Sequence, residues 1–584
     1  MNKLIELEVE GIELEDLKGG IKILRLPELT EQEKSIIDPI VAPTSGLRIQ
    51  LCDTLEENKK YYIPNRKLFL FLRVFKAISQ HYRELKGDEK LNILIVTDNR
   101  PTKDLLLQYC SEIFAYDGFQ IYYQQDSQFE SKVSSPYGAA SVALYEDIDL
   151  IIVLTASHND LSWNGIKFYI EYPMPMSGKN FKEISKKALT YKEIYLKTDY
   201  QAIQIDAIKK NNEYVKKLLS EVMEIKSIKD KNIIIWPYLG KARGIVDLFR
   251  DYGANVILIE EEINPPNPIK VIYEDKLKEI MEKNDSTLAL LLDADRDRIA
   301  LYVKQNGQYF TYIPNEIYSA MHNILAKKFS KKIINVRTIP SDLRGDHTSY
   351  INILTGVGYK HLGVIMYYLY GISVEQSKVD TAILYFEDQN KKLVKINNPT
   401  PLKQQILTLM DLNNTNNESF LVVYWEESGG HTLNILNVSK NPETGKAEFS
   451  TDLPIIADKY PVPALVLIAE LICRGFVISE SIDWSIKGIN RTISATDIEK
   501  VKIMKNFKEY DGKIIKIEDT DYLINALSDN SNMVDLYQLR SSDSILYFRP
   551  SGTGPDVRFY IFGKRETHLE EIKKVMYYIE NNFK

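Results

Sequence analysis

Short aliphatic runs alternate with amphipathic segments of helical periodicity along most of this chain, and this alternation constrains its fold more than any other feature. The aliphatic runs have the length of buried strands, and turn residues or helical segments follow them. They lie at residues 91–98, 119–123, 149–156, 231–238, 254–261, 286–293 and 331–339. Repeated strand–helix–strand units predict an α/β fold whose parallel or mixed sheets are covered by helices.

The alternation ends before the last part of the chain, which predicts a change of architecture there. From residue 489 onward, short strand-like runs precede one closing helix, which is an α+β pattern. A chain of 584 residues is also too long for a single hydrophobic core. We therefore predict three α/β domains at 1–225, 226–328 and 329–488 and an α+β domain at 489–584, with a flexible linker at the start of the second domain.

Composition narrows the classes of function. The 81 acidic and 74 basic residues give a formal net charge of −7, which argues against a general nucleic-acid binder. The three cysteines, Cys52, Cys110 and Cys473, are too far apart for a disulfide framework or a zinc ribbon and indicate a reducing compartment. The sequence shows neither the apolar core of a signal peptide nor an apolar window long enough to span a membrane. We expect a soluble, cytoplasmic monomer or dimer without nucleic-acid or membrane partners.

Three carboxylates follow the apolar run at 286–293 on alternate positions, Asp293, Asp295 and Asp297. Carboxylates on a tight loop can converge on one hard cation such as Mg²⁺. An EF-hand is excluded, since Arg298 stands where that loop needs glycine. A solvated acidic loop remains possible, and so does a dehalogenase-type nucleophile, although that fold usually begins with this strand. We interpret residues 293–298 as a metal loop.

A second polar stretch, Thr-Ala-Ser-His-Asn at 155–159, follows another apolar run. The carboxyl ends of strands are where open α/β sheets place their chemistry, so Ser157 is a candidate reactive residue. The adjacent His158 does not make a catalytic triad, and the chain has no G-x-S-x-G elbow at this place. The alternative interpretation is an ordinary polar turn.

Together with five further stretches, these motifs resemble the α-D-phosphohexomutase superfamily, which includes phosphoglucomutase and phosphomannomutase. That family has a T-A-S-H-N-P phosphoserine loop followed by N-G-x-K, a D-G-D-G-D-R metal loop, a glutamate/serine sugar loop and an R-P-S-G-T-E-P phosphate loop. In this chain the corresponding stretches lie in the same order at 44–48, 155–159, 164–167, 293–298, 355–360, 425–431 and 549–555, with Arg558 after the last.

This resemblance implies an architecture, a reaction and a set of site residues. It implies four domains around one central cleft, and the interconversion of hexose 1-phosphate and hexose 6-phosphate through a phosphoserine and a hexose 1,6-bisphosphate. The implied catalytic residues are Ser157, Lys167, Arg48 and His158, and the implied ligands of one Mg²⁺ are Ser157, Asp293, Asp295 and Asp297. The implied substrate contacts are Arg298, Gly358, Lys360, Glu426, Ser428, His431, Arg549, Ser551, Gly552, Thr553 and Arg558.

The chain also departs from the family pattern. Ala294 and Arg296 replace both glycines of the metal loop, and Gly554 replaces the glutamate of the phosphate loop. Because a guanidinium near a dication is repelled, we expect Arg296 to point outward or towards phosphate oxygens, unless the site has lost its metal. If it points outward, replacing it with glycine is expected to change activity little. The sequence favours an active mutase acting on glucose phosphates, with amino sugars as a variant and a degenerate phosphosugar-binding or partner-binding relative as the alternative.

Overall fold

The fold was analysed in a computed structural model that describes residues 6–39, 46–55, 60–87, 89–125, 132–170, 179–347, 350–371, 382–387, 393–408, 410, 417–441, 443–444, 446–529, 534–551 and 555–584. The chain forms two units. Unit 1 comprises Met1–Tyr312 and Pro454–Cys473, and unit 2 comprises Ile313–Leu453 and Arg474–Lys584. None of the described helices is both long enough and apolar enough to cross a membrane.

The first part of unit 1 contains a mixed six-stranded sheet with two small sheets beside it. Its elements are β1 (Leu7–Val9), β2 (Glu15–Asp16), β3 (Ile21–Arg25), α1 (Glu31–Ile37), β4 (Leu47–Gln50), β5 (Asp53–Leu55), β6 (Lys60–Ile63), α2 (Asn65–Lys86), β7 (Leu91–Thr97), α3 (Lys103–Tyr116), β8 (Phe119–Gln124), α4 (Ser135–Leu144), β9 (Leu150–Leu154), β10 (Trp163–Ile170), α5 (Lys179–Ala188), β11 (Glu193–Lys197), β12 (Ala202–Ile205) and α6 (Ala207–Val222). The strand orders are β12-β8-β7-β9-β10-β4, β1-β6-β5 and β11-β3-β2. In the large sheet β12, β8, β7 and β9 are parallel, whereas β10 and β4 run antiparallel to their neighbours.

The second part of unit 1 is a five-stranded mixed sheet. Its elements are β13 (Asn232–Pro237), α7 (Arg243–Asp251), β14 (Asn255–Leu258), α8 (Glu274–Lys283), β15 (Leu288–Leu292), β16 (Ile299–Gln305) and β17 (Gln308–Tyr312), in the order β14-β13-β15-β16-β17. Every residue of β9 and β15 is buried, as their continuous aliphatic runs predict. These two strands end at the two polar loops singled out in the sequence.

Unit 2 contains a seven-stranded mixed sheet. Its elements are α9 (Pro314–Phe329), β18 (Lys332–Thr338), a 3₁₀ turn (Leu343–Gly345), β19 (Ile351–Thr355), α10 (Lys360–Tyr370), β20 (Leu384–Glu387), β21 (Leu393–Lys395), α11 (Pro399–Thr408), β22 (Asn417–Trp425), β23 (His431–Lys440) and β24 (Ala447–Ser450). The strand order is β21-β20-β19-β18-β22-β23-β24, and β19, β18 and β22 are parallel.

After the unit 1 helix α12 (Val462–Cys473), the chain forms the C-terminal sheet of unit 2. The elements are β25 (Ile486–Ser494), α13 (Asp497–Phe507), a 3₁₀ turn (Lys508–Tyr510), β26 (Ile514–Ile517), β27 (Thr520–Ser528), β28 (Val534–Arg540), β29 (Ile545–Pro550), β30 (Asp556–Lys564) and α14 (His568–Phe583). The sheet is antiparallel throughout, in the order β25-β30-β29-β28-β27-β26. The predicted fold class, α/β with mixed sheets and a C-terminal α+β part, is confirmed.

Helix α12 is apolar except for Glu470, which is fully buried. Its carboxylate accepts hydrogen bonds from the backbone amides of Lys226, Ser227 and Ile228, at 3.1, 2.7 and 3.2 Å. These amides lie where the sequence predicts a flexible linker, so the linker is anchored to a helix more than two hundred residues away. A charged acceptor for otherwise unsatisfied amides explains why an acid interrupts this apolar helix.

His322 in α9 and His431 at the start of β23 form a second buried polar contact, with their Nε2 atoms 2.9 Å apart. Both rings are fully buried. Burial lowers the pKa of His322 from 6.5 to about 3. Burial, with His322 beside it, also lowers the pKa of His431 well below its usual value. The pair is therefore neutral at physiological pH, with one ring donating and the other accepting.

We expect Glu470→Ala to destabilise the protein by about 2–4 kcal/mol, since three backbone amides, one of them buried, lose their charged acceptor. Glu470→Gln keeps an oxygen acceptor and should lose less. Urea unfolding measures the difference. The control is Glu224→Ala, at a side chain that is 72% exposed, which should change the free energy of unfolding by no more than about 0.5 kcal/mol. Equal effects of the two alanine variants would show that Glu470 is not an anchor.

The histidine pair predicts a loss of stability in mild acid. Below pH 6.5 the unfolded chain takes up protons that the folded rings exclude, so the free energy of unfolding falls as pH falls. At pH 5.5 each ring should lower stability by about 1.4 kcal/mol relative to pH 7.5. Fluorescence of Trp425, whose ring lies 5.8 Å from that of His322, can follow unfolding in urea. His322→Gln should reduce this pH dependence, and an unchanged dependence would contradict the assignment.

Candidate active site

Ser157 stands at a sharp turn directly after β9. Its φ of +55° places it in the left-handed region, which is uncommon for a residue other than glycine. The turn is held because Ser157 N donates to Thr155 Oγ1 at 2.9 Å, and Thr155 Oγ1 donates to Asp98 Oδ2 at 2.7 Å. A strained backbone that is fixed by buried neighbours is typical of residues presented for function.

Arg100 organises the rest of this serine loop. The side chain is fully buried and pairs with Asp98 at 3.1 Å. Its guanidinium donates to the carbonyl oxygens of Ser157, Asn159 and Asp160, at 2.6, 2.8 and 2.7 Å. A planar fork with several donors is suited to collecting carbonyls that point inward from a turn. The serine is thereby positioned by a cation that follows the neighbouring strand β7.

The hydroxyl of Ser157 lies beside the metal loop. Ser157 Oγ donates to Asp293 Oδ2 at 3.3 Å and accepts from Arg298 Nη1 at 2.7 Å. Arg298 also contacts the ring of His158, whose Nδ1 lies 3.4 Å from Ser157 Oγ. The structure therefore brings together Ser157, His158, Asp293 and Arg298, which come from two sheets of unit 1.

The three aspartates of the metal loop converge. One carboxylate oxygen from each of Asp293, Asp295 and Asp297 can be chosen so that all three lie within 4.8 Å of one another, and all three residues are buried. Asp295 Oδ1 and Asp297 Oδ1 are buried without a hydrogen-bond partner among the described residues. Burial, together with the other two carboxylates, raises the pKa of Asp293 well above its usual range. Crowded carboxylate oxygens that lack hydrogen-bond donors fit a hard divalent cation.

Lysines compensate part of this negative charge. Lys167, on β10, donates to Asp295 Oδ2 at 2.8 Å and to Asp297 Oδ2 at 3.1 Å, while Lys459 lies 3.6 Å from Asp297 Oδ2. Burial lowers the pKa of Lys167, but the two carboxylates outweigh it and the net pKa is raised well above 10.5. In Asp295 and Asp297 the Oδ2 atoms accept hydrogen bonds from Lys167, so the Oδ1 atoms are the ones that could bind a cation.

Arg48 approaches the same region along β4. It lies opposite Gly165 in the β4–β10 pairing, two residues from Lys167. A side chain at position 165 would stand 2.5 Å from the carbonyl oxygen of Leu47 and 2.6 Å from that of Thr155, so only glycine lets these strands meet. Burial raises the pKa of Asp297, but the positive charges of Lys167 and Lys459 outweigh burial, so the net pKa is lowered. The positive charge of Arg48 adds to this lowering.

Arg296 points away from the carboxylates. Its guanidinium donates to Leu239 O at 2.6 Å and to Asn99 Oδ1 at 3.2 Å, and it also contacts Ala294 O. Its φ is +61°, so this is the position in the loop that needs a left-handed backbone. Ala294 has no such φ. The guanidinium of Arg296 is thus held by neighbouring loops and forms no hydrogen bond with the three carboxylates among the described residues.

In unit 2, the predicted sugar loop is the tight turn between β22 and β23. Glu426 is buried and its Oε1 accepts from Ser428 Oγ at 2.5 Å. Glu427 beside it accepts from Thr338 Oγ1 at 3.4 Å, and burial together with Glu426 raises its pKa. His431, predicted as a substrate contact, is the buried partner of His322. Its role towards substrate stays a prediction.

Two arginines of unit 2 lie side by side. Arg549 on β29 is directly opposite Arg558 on β30, so their side chains leave the same face of the sheet. Arg549 Nε is buried without a hydrogen-bond partner among the described residues. Ser551 is buried, and its carbonyl accepts from Lys500 Nζ at 3.1 Å. Gly552, Thr553 and Gly554 lie outside the described residues.

Gly358 and Lys360 flank the start of α10. Gly358 has a φ of +104°, and its carbonyl accepts from the Tyr424 hydroxyl at 2.9 Å. His361 is fully buried next to Lys360. Burial, with the charges of Lys360 and Arg549, lowers its pKa well below the usual value. A neutral histidine between two cations indicates a positive environment around this loop of unit 2.

Sequence reasoning missed Arg100 and Lys459. Arg100 follows the predicted strand at 91–98, but nothing local shows that it collects the carbonyls of a loop almost sixty residues later. Lys459 reaches Asp297 from the segment before α12. The only signal in the sequence was an isolated Asp458-Lys459 pair within an otherwise apolar stretch.

Comparisons with known proteins agree with this geometry. The protein-family model for the alpha/beta/alpha domain I of phosphoglucomutase/phosphomannomutase matches residues 65–194. A phosphoglucosamine mutase of Dictyoglomus thermophilum is 22% identical over 242 residues, which is 40% of this chain and 50% of the relative. A phosphoglucosamine mutase of Caldicellulosiruptor saccharolyticus is 26% identical over 225 residues, which is 38% of this chain and 48% of that relative. The chain thus spans about half the length of these curated relatives.

Solved structures extend the likeness to nearly the whole fold. The open form of parafusin, a phosphoglucomutase of Paramecium, matches with a TM-score of 0.61 at 14% identity, covering 96% of this chain and 97% of that one. A phosphoglucomutase/phosphomannomutase family protein of Burkholderia thailandensis matches with a TM-score of 0.57 at 14% identity, covering 94% and 97%. Residues 65–194 are therefore similar to domain I of the phosphoglucomutase/phosphomannomutase family, and the chain as a whole shares the fold of the solved phosphohexomutases.

Proposed function

We propose that the protein is a phosphohexomutase that interconverts hexose 1-phosphate and hexose 6-phosphate through a phosphoserine and a hexose 1,6-bisphosphate. One observation carries this proposal: Ser157 Oγ touches both Asp293 of a three-carboxylate loop and the guanidinium of Arg298. Phosphoryl transfer needs in-line positioning and neutralisation of charge far more than covalent chemistry from the protein. A buried serine between a cation and a metal loop meets those needs.

Ser157 is the proposed carrier of the phosphoryl group. In one half of the cycle the bond between phosphorus and Ser157 Oγ breaks and a bond to a sugar hydroxyl oxygen forms, and the second half reverses this with the other phosphate of the sugar. Arg298, 2.7 Å from the serine oxygen, is placed to stabilise negative charge on the transferring group. The strained turn held by Arg100 keeps the serine fixed between the two events.

Asp293, Asp295 and Asp297 would hold one Mg²⁺, with the Ser157 phosphate as a further ligand. Such an ion polarises the phosphoryl oxygens when bound. The chain's own contribution is the set of buried carboxylate oxygens that Lys167 leaves unoccupied.

Lys167 is the proposed proton donor and acceptor. Its ammonium lies within hydrogen-bonding distance of Asp295 and Asp297, so beside the metal loop it can give a proton to the oxygen that loses the phosphoryl group. Once it has done so, the same amine can accept the proton of the next attacking hydroxyl. We assign Arg48 the stabilisation of charge that develops beside it.

The phosphate that does not react is assigned to unit 2. Two guanidinium groups on one sheet face repel each other, and an anion between them relieves that repulsion. Arg549, Arg558 and Ser551 are therefore the proposed grip on this phosphate. Glu426 and Ser428 offer an acceptor and a donor for neighbouring sugar hydroxyls.

Glucose phosphate is the proposed substrate, and glucosamine phosphate is the second candidate. The curated relatives that the chain matches are phosphoglucosamine mutases. In addition, Glu427 provides a second carboxylate beside Glu426, where an amino group could be bound. Coupled assays with either sugar 1-phosphate, the matching 1,6-bisphosphate and Mg²⁺ decide between them by kcat/KM.

Ser157→Ala should abolish turnover, with a loss of at least about 10³-fold, because no other group would carry the phosphoryl. Intact-mass measurement of the wild type after incubation with hexose 1,6-bisphosphate should show one added phosphate that the variant lacks. Full activity in the variant would exclude the phosphoserine mechanism. A wild type that binds phosphosugar without turnover under any metal condition would instead identify a degenerate relative.

Arg549→Ala and Arg558→Ala should raise KM about 10-fold or more, since each removes part of the grip on the non-reacting phosphate. kcat can fall as well, because binding at a distance also orients the reacting end. Arg491→Ala is the matched control, at an exposed arginine of the same sheet. Arginine variants with the kinetics of this control would contradict the assignment.

A further inference from the structure

Arg296 lies between two proposed metal ligands in sequence, yet the structure places its side chain outside the metal site. The residue is 4% exposed, and within the described part of the chain it forms no ion pair with a carboxylate. A buried guanidinium needs acceptors, and here they are mostly backbone carbonyls. This is an unusual use of an arginine in a loop where the family has glycine.

We propose that Arg296 is a positioning residue that ties the metal loop to two neighbouring loops and so fixes the carboxylates for the cation. This inference rests on the proposed function for the metal, but the structural tie is testable without it. The tie has two outer ends. Leu239 O belongs to the loop between β13 and α7, and Asn99 Oδ1 to the loop after β7.

The two outer ends belong to different sheets. β13 pairs directly with β15, whereas β7 is part of the six-stranded sheet that carries Ser157. Arg296 therefore connects the metal loop both to its own sheet and to the sheet of the serine loop. A shift of either sheet relative to the other would change the distance between Ser157 and Asp293, which the tie opposes.

Gly240 makes room for this connection. Its φ is +68°, and a Cβ at this position would stand 2.3 Å from Asn99 Cγ. The loop after β13 thus reaches Asn99 only because position 240 lacks a side chain. Leu239, the neighbouring residue, is then at hand to accept from Arg296.

The internal bonds of the metal loop do not replace this tie. Asp293 Oδ1 accepts from the amides of Asp297 and Arg298, and Asp293 O accepts from Arg296 N at 3.2 Å. These bonds close the turn upon itself. On the outer side, Asp295 O accepts from Ser135 N at 2.9 Å, at the start of α4. Arg296 adds anchors from two further loops, so the orientation of the neighbouring Asp295 and Asp297 depends on it.

Arg296→Gly distinguishes two hypotheses: that the arginine side chain positions the metal loop, and that only the backbone conformation at residue 296 matters. Glycine adopts a φ near +61° without strain, so if the backbone alone mattered the variant would bind metal as well as the wild type or better. If the side chain positions the loop, the dissociation constant for Mn²⁺, measured by electron paramagnetic resonance as a probe for Mg²⁺, should rise about 10-fold or more. Arg296→Lys should also weaken binding, because it loses the fork that spans two acceptors.

The matched control is Arg250→Ala, at an arginine of α7 in the same unit whose side chain is 56% exposed and lies 3.8 Å from Asp247. It should leave the Mn²⁺ dissociation constant unchanged. Asn99→Ala, which removes one outer end only, should give an intermediate increase. An unchanged dissociation constant in both Arg296→Gly and Arg296→Lys would overturn the proposal.

Hydrogen exchange of the metal-free protein provides a readout that does not depend on metal. In Arg296→Gly, amides of the peptide covering 288–299 should exchange faster than in the wild type or in Arg250→Ala. The proposed metal site is wrong if the wild type binds no Mn²⁺ or if Asp293→Asn binds Mn²⁺ equally well. In either case hydrogen exchange of the peptide covering 288–299 tests whether Arg296 positions the loop. Unchanged exchange in the glycine variant would overturn the proposed tie.

Discussion

Unit 1 depends on the balance of charge around three buried aspartates. Carboxylates in a protein interior are stable only when cations or hydrogen-bond donors compensate them, and the desolvation penalty is several kcal/mol per ion. Here Lys167 bridges Asp295 and Asp297, while Arg298 lies beside Asp293. Lys167 belongs to β10 and the aspartates follow β15, so one set of ion pairs joins two sheets. The position of Ser157 beside Asp293 follows from this junction.

The sequence predicts the strands well because their signal is local. Each aliphatic run from 91–98 to 331–339 contains an observed strand, and the polar loops at 155–159 and 293–298 follow β9 and β15 as expected. The residues that complete the site are different. Arg100 and Lys459 act on loops far away in the chain, and only the folded structure shows which carbonyl or carboxylate a long cationic side chain reaches. The same holds for Glu470, whose partners lie in the predicted linker.

The altered metal loop shows how one position can satisfy two demands. Its backbone requires a left-handed conformation at residue 296, which glycine adopts freely and arginine does not. A second guanidinium beside Arg298 would add to the repulsion of a cation at the carboxylates. Pointing the side chain away meets the second demand, and hydrogen bonds to Leu239 and Asn99 offset the strain of the first. In the sequence, an arginine in place of this glycine suggests that the metal site has been lost. In the structure, the same arginine is compatible with an intact site.

Each unit carries a cluster of side chains of like charge, aspartates in unit 1 and arginines in unit 2. In unit 1, Asp295 Oδ1 and Asp297 Oδ1 lack hydrogen-bond donors among the described residues, which favours binding a cation. In unit 2 Arg549 and Arg558 lie directly opposite each other and Arg549 Nε lacks an acceptor among the described residues, which favours binding an anion. Neither cluster by itself stabilises the folded chain, since like charges at such distances repel each other. Clusters that destabilise the protein by themselves are explained if ligands complete them, a cation in unit 1 and an anion in unit 2.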